Sequence, residues 1–198
     1  MGRLNAMEGI DFVVQIGDFT DVGTIQEYRL AKGRFDALRV PYLVVLGNHD
    51  MLGRGDEIFD RMFGMRDGAF EYRGARFLMI DSNSREYGFG EGVPRLASLA
   101  AALHVDEGAG AAPTLAAPTF VFAHVPPTSS DFDPDQLPQF LSLLQQGRVT
   151  GAFYGHEHSF REGYEGAVPW WIVDAVARRT LLVVTVHGNE VAVEREPF

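Results

Sequence analysis

Four short segments of this 198-residue chain concentrate residues that bind metals and handle protons. They are Gly17, Asp18 and Asp21 in GDFTD; Gly47, Asn48, His49 and Asp50 in GNHD; His124 in FAHVPP; and Gly155, His156 and His158 in GHEHSF. Singly, each has an ordinary explanation: a Gly-Asp pair after a strand makes a turn or a helix cap, and a lone histidine at a strand end is commonly a satisfied polar residue. GNHD and GHEH are rarer, since at average residue frequencies each is expected in well under about one in a hundred chains of this length. Together the segments ask for a chemical account. Two cations held ~3.5 to 4 Å apart need a bridging carboxylate and further hard or borderline donors to complete each shell. Asp18 suits the bridge, Asn48 offers a neutral amide oxygen, and His124, His156 and His158 offer imidazole nitrogens. Such a mixture favours manganese, iron or zinc over calcium or magnesium. In an extended His156-Glu157-His158, side chains two apart point the same way, so both rings face the metals and Glu157 faces out.

These segments must be brought together by the elements that precede them. The valine-rich run from Asp11 to Ile16 ends at Gly17 and reads as a buried strand. Tyr28, Ala31, Phe35 and Leu38 recur at helical spacing, with Thr24 placed to cap the start and Pro41 to stop it. Tyr42 to Leu46 is a second strand, ending at Gly47. Ala69–Tyr72 and Arg76–Asp81 flank Arg73 and Gly74 as a short hairpin, and Pro94 to Leu103 reads as an alanine-rich helix. Glu107 to Pro118, mostly alanine, glycine and proline, is expected to be a flexible surface loop. Strands follow at Thr119–Ala123, Ala152–Tyr154, Val168–Asp174, Thr180–His187 and Glu190–Glu194, with a helix at Gln136–Gln146 and a turn through Gly188 and Asn189. Strand, loop, helix, strand is the order of an α/β layered domain, in which loops at one sheet edge carry function. One domain over residues 1–198 is expected, with no internal repeat.

Composition narrows the partners. With 46% hydrophobic and 22% charged residues, the chain can bury a sizeable core. A formal charge of −10 opposes extended nucleic acid and anionic membrane, while a small phosphorylated substrate stays compatible because a metal site reverses the sign locally. Without cysteine there are no disulfides, thiolate zinc sites or cysteine nucleophiles. No apolar run approaches the ~20 residues that cross a bilayer, and MGRLNAMEG lacks the apolar stretch of a signal peptide, so a cytoplasmic protein is expected.

Taken in order, GDFTD, GNHD, the histidine before Pro126 and Pro127, and GHEH resemble the second to fifth motifs of the calcineurin-like metallophosphoesterases, over Asp11 to Phe160. The bacterial phosphodiesterase and phosphatase branch is the most similar. The resemblance implies an α/β/β/α sandwich of two mixed sheets flanked by helices. It also implies metal-dependent hydrolysis of a phosphate monoester or diester by a metal-bound hydroxide at a dinuclear site. Asp18 would bridge both metals, Asn48, His124 and His156 would bind the second, and His158 the first. His49 would contact the phosphate as general acid or electrostatic stabiliser, oriented by Asp21.

The pattern breaks at the family's first motif, an Asp-x-His that supplies two ligands to the first metal. None of the residues before Asp18 is histidine, so the first-metal site is expected to be incomplete and the chain to start late relative to the family. A catalytically impaired binding module on the same fold is therefore the competing reading, with a single structural metal site in an unrelated α/β protein behind it. Arg85, Tyr87 and Arg161 are the candidate substrate contacts. Asp81, ending a strand, and Asp131, in a polar loop, could each replace a lost metal ligand, but the expectation is that they cap or are solvated. Trp170 and Trp171 are expected to pack against a sheet.

Overall fold

The computed structural model describes residues 1–105, 117–188 and 190–198. Its elements follow in chain order: α1 (Gly2–Ala6), β1 (Val13–Ile16), α2 (Ile25–Phe35), β2 (Tyr42–Val45), α3 (Asn48–Met51), α4 (Gly55–Met62), β3 (Gly68–Tyr72), β4 (Ala75–Ile80), α5 (Leu96–Ala102), β5 (Thr119–Ala123), α6 (Leu137–Gln146), β6 (Gly151–Tyr154), β7 (Arg161–Glu165), β8 (Val168–Ile172), β9 (Thr180–His187) and β10 (Glu190–Pro197). The loop expected over Glu107–Pro118 lies, apart from its last two residues, outside the described residues, as does Asn189. Among the described residues, no helix is long and apolar enough to cross a membrane.

A mixed six-stranded sheet in the order β3-β4-β5-β6-β8-β7 forms the central layer. Its inner strands β4, β5, β6 and β8 are parallel, and β3 and β7 close the edges antiparallel. Parallel strands buried on both faces have apolar residues at successive positions, and β5 with Phe120, Val121, Phe122 and Ala123 fits that rule. Alternation then divides the core. Leu78, Ile80, Val121, Ala123, Ala152 and Tyr154 face α5 and α6, meeting Leu99, Phe140 and Leu144. Phe77, Phe120, Phe122 and Phe153 face the other way, meeting Val14 and Ile16 of β1, Val45 of β2, and Leu182, Val186, Val191 and Val193 of the β9–β10 hairpin.

The second β layer is thus built from the parallel pair β1–β2 and the antiparallel hairpin β9–β10. Beyond it, Tyr28 of α2 and Phe59 of α4 pack on Leu46, with Phe19 and Val44 around them. The layers run helix, sheet, sheet, helix, as expected. Stacked rings line the interlayer face: Phe77 on Phe120, Phe122 on Phe153, and Phe153 on Trp171. Thr24 caps α2 in a reciprocal capping box with Glu27. Helix α2 ends at Phe35, leaving Leu38 in the following turn.

Strand β7 and helix α4 are among the elements that were not legible in the sequence. Strand β7, REGYE, is polar at an exposed edge and shows no apolar alternation. Helix α4 follows Gly53 and Arg54, both left-handed, so its start lacks a side-chain cap to read.

Candidate metal centre

Because β1 and β2 run parallel, and β4, β5 and β6 likewise, the candidate segments emerge at C-terminal strand ends. Close approach of these ends needs glycine. Gly17 has φ +76°, and a Cβ there would collide with the His124 ring. One on Gly47 would collide with the Asp18 main chain and carboxylate. Asp18 itself is left-handed at φ 52°, an arrangement that costs about 1–2 kcal/mol outside glycine. Asp50 holds it in place. Its fully buried carboxylate accepts Asp18 N–H (2.8 Å) and Gly47 N–H (3.0 Å) on Oδ2, and Thr20 N–H (2.9 Å) and the Thr20 hydroxyl (2.8 Å) on Oδ1. Burial pushes Asp50 up to about 6. Four donors aimed at its two oxygens leave no room for a proton, and we read it as a carboxylate near neutral pH.

One ligand atom each from Asp18, His124 and His156 lies within 4.8 Å of the others. Asn48 Oδ1 completes the group, 3.1 Å from His124 Nε2 and 3.1 Å from His156 Nδ1. His124 Nδ1 donates to the Ile16 carbonyl at 2.8 Å, which leaves Nε2 turned to Asp18 Oδ2 at 3.2 Å. Burial alone would lower the His124 pKa, but Asp18 outweighs it and raises it. Burial likewise works to raise Asp18, and the hydrogen bonds and charge of His124, with the His49 N–H, bring it below its ordinary value. His156 is lowered by burial and then by the neighbouring His124. An ionised carboxylate, an amide oxygen and two imidazole nitrogens converging on one point match a borderline divalent cation in donor type and number.

Asp18 Oδ1 also accepts His49 N–H at 3.0 Å. The His49 ring is half exposed and its Nδ1 donates to the Asp21 backbone carbonyl at 2.8 Å, whereas the exposed Asp21 carboxylate stands 3.8 Å away. It is therefore the Asp21 main chain that steadies the imidazole.

His156-Glu157-His158 departs from the extended expectation. His156 (φ 68°) and His158 (φ 54°) are left-handed, so the two-residue alternation of a strand does not apply. His158 is exposed and outside the Asp18, His124 and His156 group among the described residues, though near enough for its charge to act on His156.

The candidate substrate contacts lie in different settings. Arg85 is mostly exposed and donates to Asp131 Oδ1 at 2.8 Å. Tyr87 donates to Asp81 Oδ2 at 2.8 Å and accepts from Arg66 at 2.6 Å. Arg161 pairs with Glu157 at 2.6 Å and lies over the Trp170 ring. Asp81 is neither a cap nor solvated: it is wholly buried, and burial raises its carboxyl. With Asn83, which donates to Asp81 and to the Leu46 carbonyl, it ties the loop after β4 to the end of β2. Ser82 Oγ accepts Val125 N–H at 2.8 Å and braces the loop after β5.

Asp131 is the residue that sequence reasoning most undervalued. Its carboxylate is only 14% exposed and its Oδ2 lies 3.4 Å from His156 Nε2. Nothing in the polar segment around it marks that meeting. Glu86, whose Oε2 is buried without a hydrogen-bond partner among the described residues, also feels the charges of Asp131 and His124, and burial raises its carboxyl.

Comparison with known proteins bears on this site. Over 49 residues the chain is 31% identical to a probable cyclic nucleotide phosphodiesterase of Xenorhabdus bovienii, covering 25% of this chain and 20% of that protein. Over 40 residues it is 50% identical to a probable glycerophosphodiester phosphodiesterase GpdQ of Arcobacter nitrofigilis, covering 20% of this chain and 15% of that one. The matched stretches thus span a fifth or less of those relatives' lengths. In structure, GAP50, the anchor in the inner membrane complex of Plasmodium, superposes with a TM-score of 0.58 at 16% identity, over 84% of this chain and 62% of that one, a likeness of fold. The pattern of the calcineurin-like phosphoesterases matches residues 1–160, a span that contains β1, β2, β5, β6 and every donor of the group they assemble. By that match this chain belongs to the calcineurin-like phosphoesterase family.

Proposed function

We propose that the chain hydrolyses a small phosphate monoester or diester with two transition-metal cations, manganese, iron or zinc. The observation that carries this reading is the convergence of Asp18, Asn48, His124 and His156, from the ends of four strands in two sheets. These residues would hold one cation. Asp18 and His158 would contribute to the other, with Asp18 as the bridge. When bound, the cations supply Lewis acidity toward the phosphoryl oxygens and lower the pKa of a water molecule.

The protein's own groups do the rest. With its Nδ1–H given to the Asp21 carbonyl, the His49 ring in its imidazolium form would present Nε2–H to the phosphoryl group and give that proton to the leaving oxygen, ending as the neutral Nδ1–H ring. Arg85, exposed beside Asp131, offers a cationic fork to a phosphoryl oxygen. The net charge of −10 restricts the substrate to small molecules gripped by the local positive centre.

Chelator-stripped protein reconstituted with manganese and assayed on p-nitrophenyl phosphate and its bis ester tests the proposal. Turnover should depend on metal. His49→Ala should cut kcat by about 10²- to 10⁴-fold and leave metal affinity unchanged. Absence of metal-dependent turnover on both esters would refute hydrolysis of these simple ester classes.

The placement of His158 favours a second reading, because among the described residues Asp18, Asn48, His124 and His156 make a four-donor set for one cation and His158 stands outside it. One tightly held metal without turnover, by elemental analysis, would identify a catalytically impaired binding module.

A further inference from the structure

We infer that Asp131 is a positioning residue for the His156 ligand, its carboxylate holding the proton on Nε2 so that Nδ1 is the nitrogen presented to the cation. The inference rests on the metal reading above and names a residue that the reading does not require.

His124 and His156 meet the same group through opposite nitrogens. His124 is anchored at Nδ1 by a backbone carbonyl and turns Nε2 inward. His156 has Nδ1 3.1 Å from Asn48 Oδ1, so Nε2 points away, and the group facing it is Asp131 Oδ2 at 3.4 Å. A neutral imidazole has one N–H, and two acceptors compete for that of His156: the Asn48 amide oxygen at Nδ1 (3.1 Å) and the Asp131 carboxylate at Nε2 (3.4 Å), of which the charged carboxylate is the stronger acceptor. A carboxylate behind a ligating histidine also raises its donor strength and restrains the ring. His156 needs such restraint, because its left-handed backbone departs from the strand geometry that would otherwise aim the ring.

Asp131 is itself held. Oδ1 accepts from Arg85 at 2.8 Å, and its N–H donates to Ser129 Oγ at 3.2 Å. Phe132, buried against Phe140, anchors the next residue in the core. Ser129 and Phe132 are joined by a backbone hydrogen bond of 3.2 Å that closes the turn. The loop that leaves β5 after His124 thus returns a carboxylate to the second histidine. Asp131 itself is outside the Asp18, His124 and His156 group and acts on it through His156.

The test uses full-length protein with ¹⁵N-labelled histidine. Long-range proton–nitrogen correlation of the metal-free parent should show His156 as the Nε2–H tautomer, and Asp131→Ala should give a mixture. Cobalt(II), followed by its visible absorption, should bind Asp131→Ala about 10- to 100-fold more weakly, with Asp131→Glu recovering part of the loss. Should Asp131→Ala fail to fold, Asp131→Asn keeps the volume and should weaken cobalt in the same direction. A parent that binds cobalt, beside a folded variant matching it within about twofold and keeping the tautomer, overturns this inference alone. A parent that binds no cobalt overturns the metal reading and this inference with it.

Discussion

At the residue scale, the pairing of His124 with Asp18 makes cation binding compete with a proton. Asp18 raises the His124 pKa, so near neutral pH a larger share of the ring is protonated than in a free histidine, and that proton must leave before Nε2 can ligate. Affinity should therefore rise as pH climbs through the titration of His124 and fall below it. Calorimetry in two buffers of different ionisation enthalpy should show proton release on binding, and identical heats in both would contradict it. Asp50, read in the sequence as part of the GNHD motif, works as scaffold. Asp50→Ala removes the acceptor of three N–H groups and one hydroxyl in a buried setting and should cost about 3–5 kcal/mol in urea unfolding.

At the element scale, the strands meet closely enough that two glycines set the limits. Gly47→Ala forces a methyl into the Asp18 main chain, so it should lower stability and weaken metal binding together, whereas Gly33→Ala on α2, with open space around it, should do neither. Thermal melts with and without manganese separate the two. The sheet-to-sheet seam is the other load. Phe153 is 1% exposed and stacked between Phe122 and Trp171, and Phe153→Ala should cost about 3–5 kcal/mol. A loss under about 1 kcal/mol would mean that the interlayer rings repack freely. Strands β1, β2, β5 and β6 were readable because apolar runs closed by glycine or histidine are local signals. Strand β7 was not, since an exposed polar edge strand is held by its pairing with β8 and by no pattern of its own.

For the whole molecule, the donor group ties one β layer to the other: Asp18 and Asn48 follow β1 and β2, while His124 and His156 follow β5 and β6. A cation binding only the folded chain should stabilise both layers at once, by about 2.7 kcal/mol at a hundredfold excess over Kd. The melting temperature should rise with manganese, fall back with chelator, and lose its metal dependence in His124→Ala. A metal shift that survives that substitution would place the cation elsewhere.

The donor types, their order along the chain, the α/β layering and the family resemblance were all present in the sequence, because strand periodicity, glycine turns and metal-ligand chemistry are properties of short segments. Only the tertiary structure decided which nitrogen each histidine turns inward. It also placed Asp131 behind His156, put the Asp21 carbonyl instead of its carboxylate on His49, and made the backbone at His156 and His158 left-handed where an extended run was expected. Each of these depends on left-handed backbone at single residues or on contacts between distant segments, as between Asn48 and His156, 108 positions apart. Local residue patterns carry no record of such meetings. They arise when packed sheets bring loop ends within hydrogen-bond range.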